Sequence, residues 1–161
     1  MNIKTAAVLA MLATLGACAD KVADNAAATG SGGAGSGLNQ GAVPGSQEDL
    51  AANVGDRVFF ALDSSSLSGE AQAILGRQAE WLARYPQVSV QMGGYCDERG
   101  TTEYNLALGQ RRANAARDYL VARNVSSARI SAISYGKERP TAVGSDEQAY
   151  SQNRNATTSV R

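Results

Sequence analysis

Between Leu67 and Tyr85, apolar residues return every three or four positions: Leu67, Ala71, Ile74, Leu75, Trp81, Leu82 and Tyr85, with Gln78 in the same series. That period predicts an amphipathic helix, capped by Ser66 or Ser68 and stopped by Pro86. Ahead of it, Arg57-Val58-Phe59-Phe60-Ala61-Leu62 is apolar and β-rich, and Asp63-Ser64-Ser65-Ser66 breaks the strand. Behind it, Val88 to Met92 alternates apolar with polar, as a strand with one buried face does. Gly93-Gly94 then allows a bend or a close backbone approach. Asp97-Glu98-Arg99-Gly100 reads as a turn. Glu103 to Arg123 lacks Pro and places Tyr104, Leu108, Ala115, Ala116, Tyr119 and Leu120 near one side, which predicts a second, longer helix. Arg129 to Tyr135 alternates again, Asp146 is positioned to cap a short helix through Gln152, and Asn155 to Val160 alternates weakly. The polar character of this last strand predicts an edge position. The order βαβαβ(α)β argues for an α+β domain, a small mixed four-stranded sheet with helices on one face.

The first 47 residues follow different rules. Lys4 precedes an apolar stretch from Thr5 to Leu15 that is too short to span a bilayer, and Leu15-Gly16-Ala17-Cys18 follows it. This arrangement resembles a bacterial lipoprotein signal, so residues 1–17 are expected to be cleaved and Cys18 lipidated. Each buried methylene contributes about 0.8 kcal/mol, so several acyl chains hold where a single one binds only marginally. From Ala19 to Ser46 the chain is Ala, Gly, Ser and Asn with few large apolar residues, including Thr29-Gly30-Ser31-Gly32-Gly33-Ala34-Gly35-Ser36-Gly37. Such composition predicts a flexible tether over 18–47, with an r.m.s. span of about 30 Å, ahead of one domain over 48–161.

Composition narrows the chemistry. Fifteen basic and fifteen acidic residues cancel, so no basic field points to nucleic acid. With no histidine in the chain, Ser-His-Asp and Cys-His catalysis and histidine-based metal sites are excluded, and no cofactor is expected. With Cys18 assigned to lipid, Cys96 has no partner for a disulfide and reads as a small buried residue.

The run Gly94-Tyr95-Cys96-Asp97-Glu98-Arg99-Gly100-Thr101-Thr102-Glu103-Tyr104-Asn105-Leu106-Ala107-Leu108-Gly109-Gln110-Arg111-Arg112-Ala113-Asn114 resembles the signature of OmpA-like peptidoglycan-binding domains. Phe59-Phe60 with Asp63, Ser134 to Pro140, Gly144 to Glu147 and Ser151 to Arg154 agree with it. More narrowly, the layout of lipobox, tether and domain resembles the peptidoglycan-associated lipoproteins. The resemblance implies a pocket for diaminopimelate, whose side chain ends in an ammonium and a carboxylate. It assigns Asp97 to the ammonium and Arg112 to the carboxylate, which a guanidinium can grip with two parallel hydrogen bonds. Leu108, one helical turn before Arg112, would form an apolar wall, and Asp63 a further contact. Leu62, Tyr95 and Arg154 are candidate supports. Tyr95, Leu62 and Asn155 depart from the residues usual in the family, and a bulky Tyr95 beside Asp97 would narrow the pocket or stack over the ligand.

The resemblance further implies a non-enzymatic protein lipid-anchored in the outer membrane, its domain facing the periplasm and bound to peptide stems of the wall. It also implies a partner, the periplasmic β-propeller protein of the Tol system, and a role in envelope integrity and division. Two rivals stand beside this reading. One is a lipid-anchored interaction module that has lost wall binding. The other is a wall-cleaving enzyme using Asp97, Glu98 and Asp63 as a carboxylate pair.

Overall fold

The computed structural model describes residues 41–161; the apolar N-terminal run, Cys18 and most of the Gly/Ser-rich segment lie outside the described residues. A short helix α1 (Gln47–Asp49) runs into a helical turn, Leu50–Val54, before strand β1 (Arg57–Phe59). Helix α2 (Gly69–Arg84), strand β2 (Val90–Tyr95), helix α3 (Thr102–Ala122), strand β3 (Ile130–Gly136), helix α4 (Glu147–Asn153) and strand β4 (Asn155–Val160) follow. The helices start where their caps place them. Ser68, Thr101 and Asp146 each accept the backbone N–H three residues on, from Ala71, Tyr104 and Ala149. Among the described residues no helix is long and apolar enough to cross a membrane.

The sheet is mixed and ordered β1-β4-β2-β3, with β2 and β3 parallel and β4 antiparallel to both of its neighbours. The α+β architecture expected from the element order is therefore present, but the placement of β4 is not as expected. The polar last strand lies inside the sheet, between β1 and β2, rather than at an edge. Its one deeply buried hydroxyl explains why polarity is tolerated there: Thr158 Oγ1 donates to Gln78 Oε1 at 2.7 Å, and Met92 Sδ lies 3.2 Å away. A satisfied Thr keeps the β-branched shape that suits a strand without the penalty of a bare polar atom.

Strand alternation sends Val58, Val90, Met92, Ile130 and Ala156 toward the helices, where they pack with Leu75, Trp81, Leu82, Ala116 and Leu120. Gly94 faces the same way, and it is a close approach rather than a bend. Any side chain there would collide with Gly109 O of α3, and a Cβ on Gly109 would come within 2.9 Å of Gly94 O. Two glycines thus let α3 lie directly on β2. Helix α1, which the sequence pattern does not announce, closes the opposite end. Leu50 is fully buried, and Asp49 Oδ2 accepts from Trp81 Nε1 at 2.9 Å.

Candidate functional site

The loops after β1 and β2, the inner face of α3 and the first turn before β4 converge on a pocket of about 230 Å³. Asn105, Leu108 and Arg112 reach it together because three- and four-residue spacing stacks them on one face of α3. Asp97 and Cys96 enter from the β2–α3 loop, Leu62 and Asp63 from the loop after β1, and Arg154 from the end of α4. Asp63 adopts a left-handed backbone, φ 52°, a conformation in which Asp is enriched, while Leu62 stands 59% exposed at the rim.

Arg112 is fully buried and binds backbone carbonyls. Its Nε donates to Ser64 O at 2.8 Å, Nη1 to Tyr95 O at 2.8 Å and to Cys96 Sγ at 3.4 Å, and Nη2 to Ala61 O at 3.1 Å. Four of the five guanidinium N–H groups are committed, which leaves a single Nη2 hydrogen for a ligand rather than a parallel pair. Burial pushes the Arg112 pKa down, opposed by nearby Cys96 and Asp97. One guanidinium therefore links both loops of the pocket to the helix.

Asp97 is nearly buried and lies between two cations. Arg99 Nη2 donates to its Oδ2 at 2.6 Å and Arg99 Nε to Oδ1 at 3.2 Å, while Arg154 Nη1 approaches Oδ2 at 3.4 Å. The Arg99 backbone N–H also meets Oδ1, at 3.2 Å, closing an Asx-turn. Burial acts to raise the Asp97 pKa, but the Arg99 hydrogen bonds and charge and the Arg154 hydrogen bond outweigh it and hold the carboxyl below its ordinary value. Glu98 points elsewhere, accepting from Tyr150 Oη at 2.8 Å, a bond that lowers its pKa. A glycosidase acid needs a raised pKa opposite a second carboxylate; here both of these carboxyls are lowered, and Glu98 does not line the pocket. Among the described residues no three Cys, Asp or Glu gather as metal ligands.

The sequence profile of the OmpA family matches residues 59–154. The chain belongs to the OmpA family. A peptidoglycan-associated lipoprotein of Mesorhizobium japonicum is 53% identical over 154 residues, covering 96% of this chain and 89% of that one. The peptidoglycan-associated lipoprotein of Pseudomonas aeruginosa is 47% identical, covering 92% and 90%. Among solved structures, the peptidoglycan-associated lipoprotein from Burkholderia pseudomallei superposes with a TM-score of 0.66 at 41% identity, over 70% of this chain and all of that one. The C-terminal domain of Helicobacter pylori MotB, at 19% identity and a TM-score of 0.62, shares the fold.

On this OmpA-family fold, Asp97, Arg112, Leu108, Asp63, Leu62 and Arg154 line one pocket. Tyr95 does not. Its ring lies on the other side of the sheet, 5.0 Å from that of Tyr135, and only its carbonyl serves the pocket, through Arg112. Three further lining residues, Arg99, Tyr104 and Asn105, were not singled out from the sequence. Asn105 carried a signal, since it lies three and seven residues before Leu108 and Arg112 on their helical face. Its Nδ2 donates to Arg99 O at 2.7 Å and Thr101 O at 3.1 Å, pinning the loop that carries Asp97.

Proposed function

We propose that this protein is a peptidoglycan-associated lipoprotein of the outer membrane. In this reading it binds the diaminopimelate end of wall peptide stems in the pocket around Asp97, without catalysis. The observation that carries the reading is the pocket itself: a carboxylate in reach of an ammonium, guanidinium N–H groups from Arg112, Arg154 and Arg99 beside it, and Leu108 as an apolar wall. The ammonium of the ligand approaches Asp97. Because Arg112 keeps only one free N–H, the carboxylate bridges Arg112 and a neighbouring guanidinium instead of docking on Arg112 alone.

Cys18 carries the acyl chains, residues 18–47 form the tether, and residues 48–161 the wall-binding domain facing the periplasm. Alignment with the Mesorhizobium japonicum lipoprotein spans 96% of the chain, so it continues far into the segment before residue 41. Membrane and wall are then joined in series through one polypeptide. A periplasmic β-propeller protein of the Tol system is the partner this family membership suggests, with a role in envelope integrity and division.

Incubation with purified sacculi tests the class of activity. The protein should sediment with the sacculi and release no soluble fragment. Release of fragments would make it an enzyme, and failure to sediment would favour the rival reading, an interaction module without wall binding.

A further inference from the structure

The helices cover one face of the sheet; most of the other is exposed, while Asn155 on it is buried, its Nδ2 donating to Thr141 Oγ1 and Gln152 O. On this second face, the rings of Tyr95 and Tyr135 meet at 5.0 Å above Gly93, where a Cβ would come within 2.8 Å of the Tyr135 ring and 3.1 Å of the Tyr95 ring. Phe59 is 42% and Ile133 38% exposed. By strand register, Phe59 on the edge strand β1 and Ile133 on the opposite edge strand β3 belong to this face, with Arg57, opposite Thr157, beside Phe59. Arg139 stacks 4.4 Å above the Tyr135 ring, and Arg161 Nη1 donates to Ser131 Oγ at 3.3 Å. The strand positions that point this way carry no Asp or Glu. The nearest carboxylates in sequence are engaged elsewhere, Asp56 with Gln47 and Glu138 with Thr102. Among the described residues Arg57, Arg139 and Arg161 have no ion-pair partner.

A chain whose charges balance overall thus sets two guanidiniums without an ion-pair partner, Arg57 and Arg139, beside an apolar, aromatic patch. We propose that this open sheet face is a docking surface for an acidic polypeptide segment of a partner protein. Charge complementarity selects the carboxylates, and Phe59, Ile133 and the tyrosine edges supply the contact that surface ion pairs alone do not. A glycan fits less well. Sugars stack on free aromatic faces, whereas here the two tyrosines face each other and Arg139 covers Tyr135.

The test uses the purified full-length protein, a glutamate oligomer of about 12 residues as probe, and a chitin oligosaccharide of similar length as its neutral counterpart. Binding is followed by NMR titration. The oligoglutamate should shift resonances of Phe59, Ile133 and Tyr135, weaken with added salt, and lose about tenfold in affinity in the Arg57→Gln/Arg139→Gln protein. The Arg117→Gln protein, changed on the exposed face of α3, should bind as the parent does. Shifts confined to the pocket around Arg112, equal loss in the Arg117→Gln control, or preference for the oligosaccharide would overturn the proposal. Unchanged thermal unfolding of the double variant separates lost binding from lost fold. The pocket around Asp97 takes no part, so failure here leaves the wall-binding reading intact.

Discussion

Burying a guanidinium costs several kcal/mol unless its N–H groups meet acceptors, and at Arg112 three backbone carbonyls and a thiol meet them. A lysine in its place has three donors on a single point and cannot span Ser64 O, Ala61 O and Tyr95 O at once. Arg112→Lys should therefore lose about 3 kcal/mol in urea unfolding, and an unchanged midpoint would refute that account. Asp97 makes a prediction with a sign. Its folded pKa lies below its ordinary 3.8, so the stability it contributes is fully present above 3.8 and is lost as pH falls through the folded value. Asp97→Asn should then be less stable than the parent at about pH 6, the gap narrowing once pH drops below that ordinary value. A gap independent of pH would contradict the assignment. Helical spacing ties Leu108 to Arg112, whereas Asp97, Asp63, Leu62 and Arg154 are brought to the pocket in sequence only by the resemblance to the OmpA-like signature. Tyr95 supports the pocket through its carbonyl and not its ring, as alternation dictates: with Val90 and Met92 turned inward, Gly94 turns inward and the Tyr95 side chain outward.

Elements were legible where their periods were long and their caps explicit, as in α2 and α3. Helix α1 with its following turn is too short for a period to show, and its burial rests on tertiary partners such as the Asp49–Trp81 bond. Strand β4 was placed at an edge because its residues are polar, and pattern alone could not reveal that Gln78, on a distant helix, satisfies Thr158. Thr158→Val keeps the shape, removes the hydroxyl and leaves Gln78 Oε1 buried without its donor, so a loss of about 1–3 kcal/mol is expected from thermal unfolding. No loss would mean that the hydroxyl does not sustain the interior placement. The glycine contact between β2 and α3 is equally specific. Gly94→Ala forces the helix off the strand and should cost about 3 kcal/mol, with the pocket loosened because Arg112 rides on that helix.

At the scale of the whole molecule, the proposed function assigns a lipid anchor, a tether and a wall-binding domain to successive segments, and each assignment can be tested separately. Cys18→Ser should shift the protein from the membrane pellet to the soluble periplasmic fraction while leaving sacculus binding intact; continued membrane association would refute Cys18 as the anchor. The central claim concerns the pocket. Its most direct test is calorimetric titration of the protein with a diaminopimelate muropeptide, with the lysine-type counterpart, which lacks the terminal carboxylate, run in parallel. Saturable heat with the diaminopimelate form only, abolished in Asp97→Ala, is the predicted result. A folded protein that gives no heat with either, or equal heat with both, would contradict it.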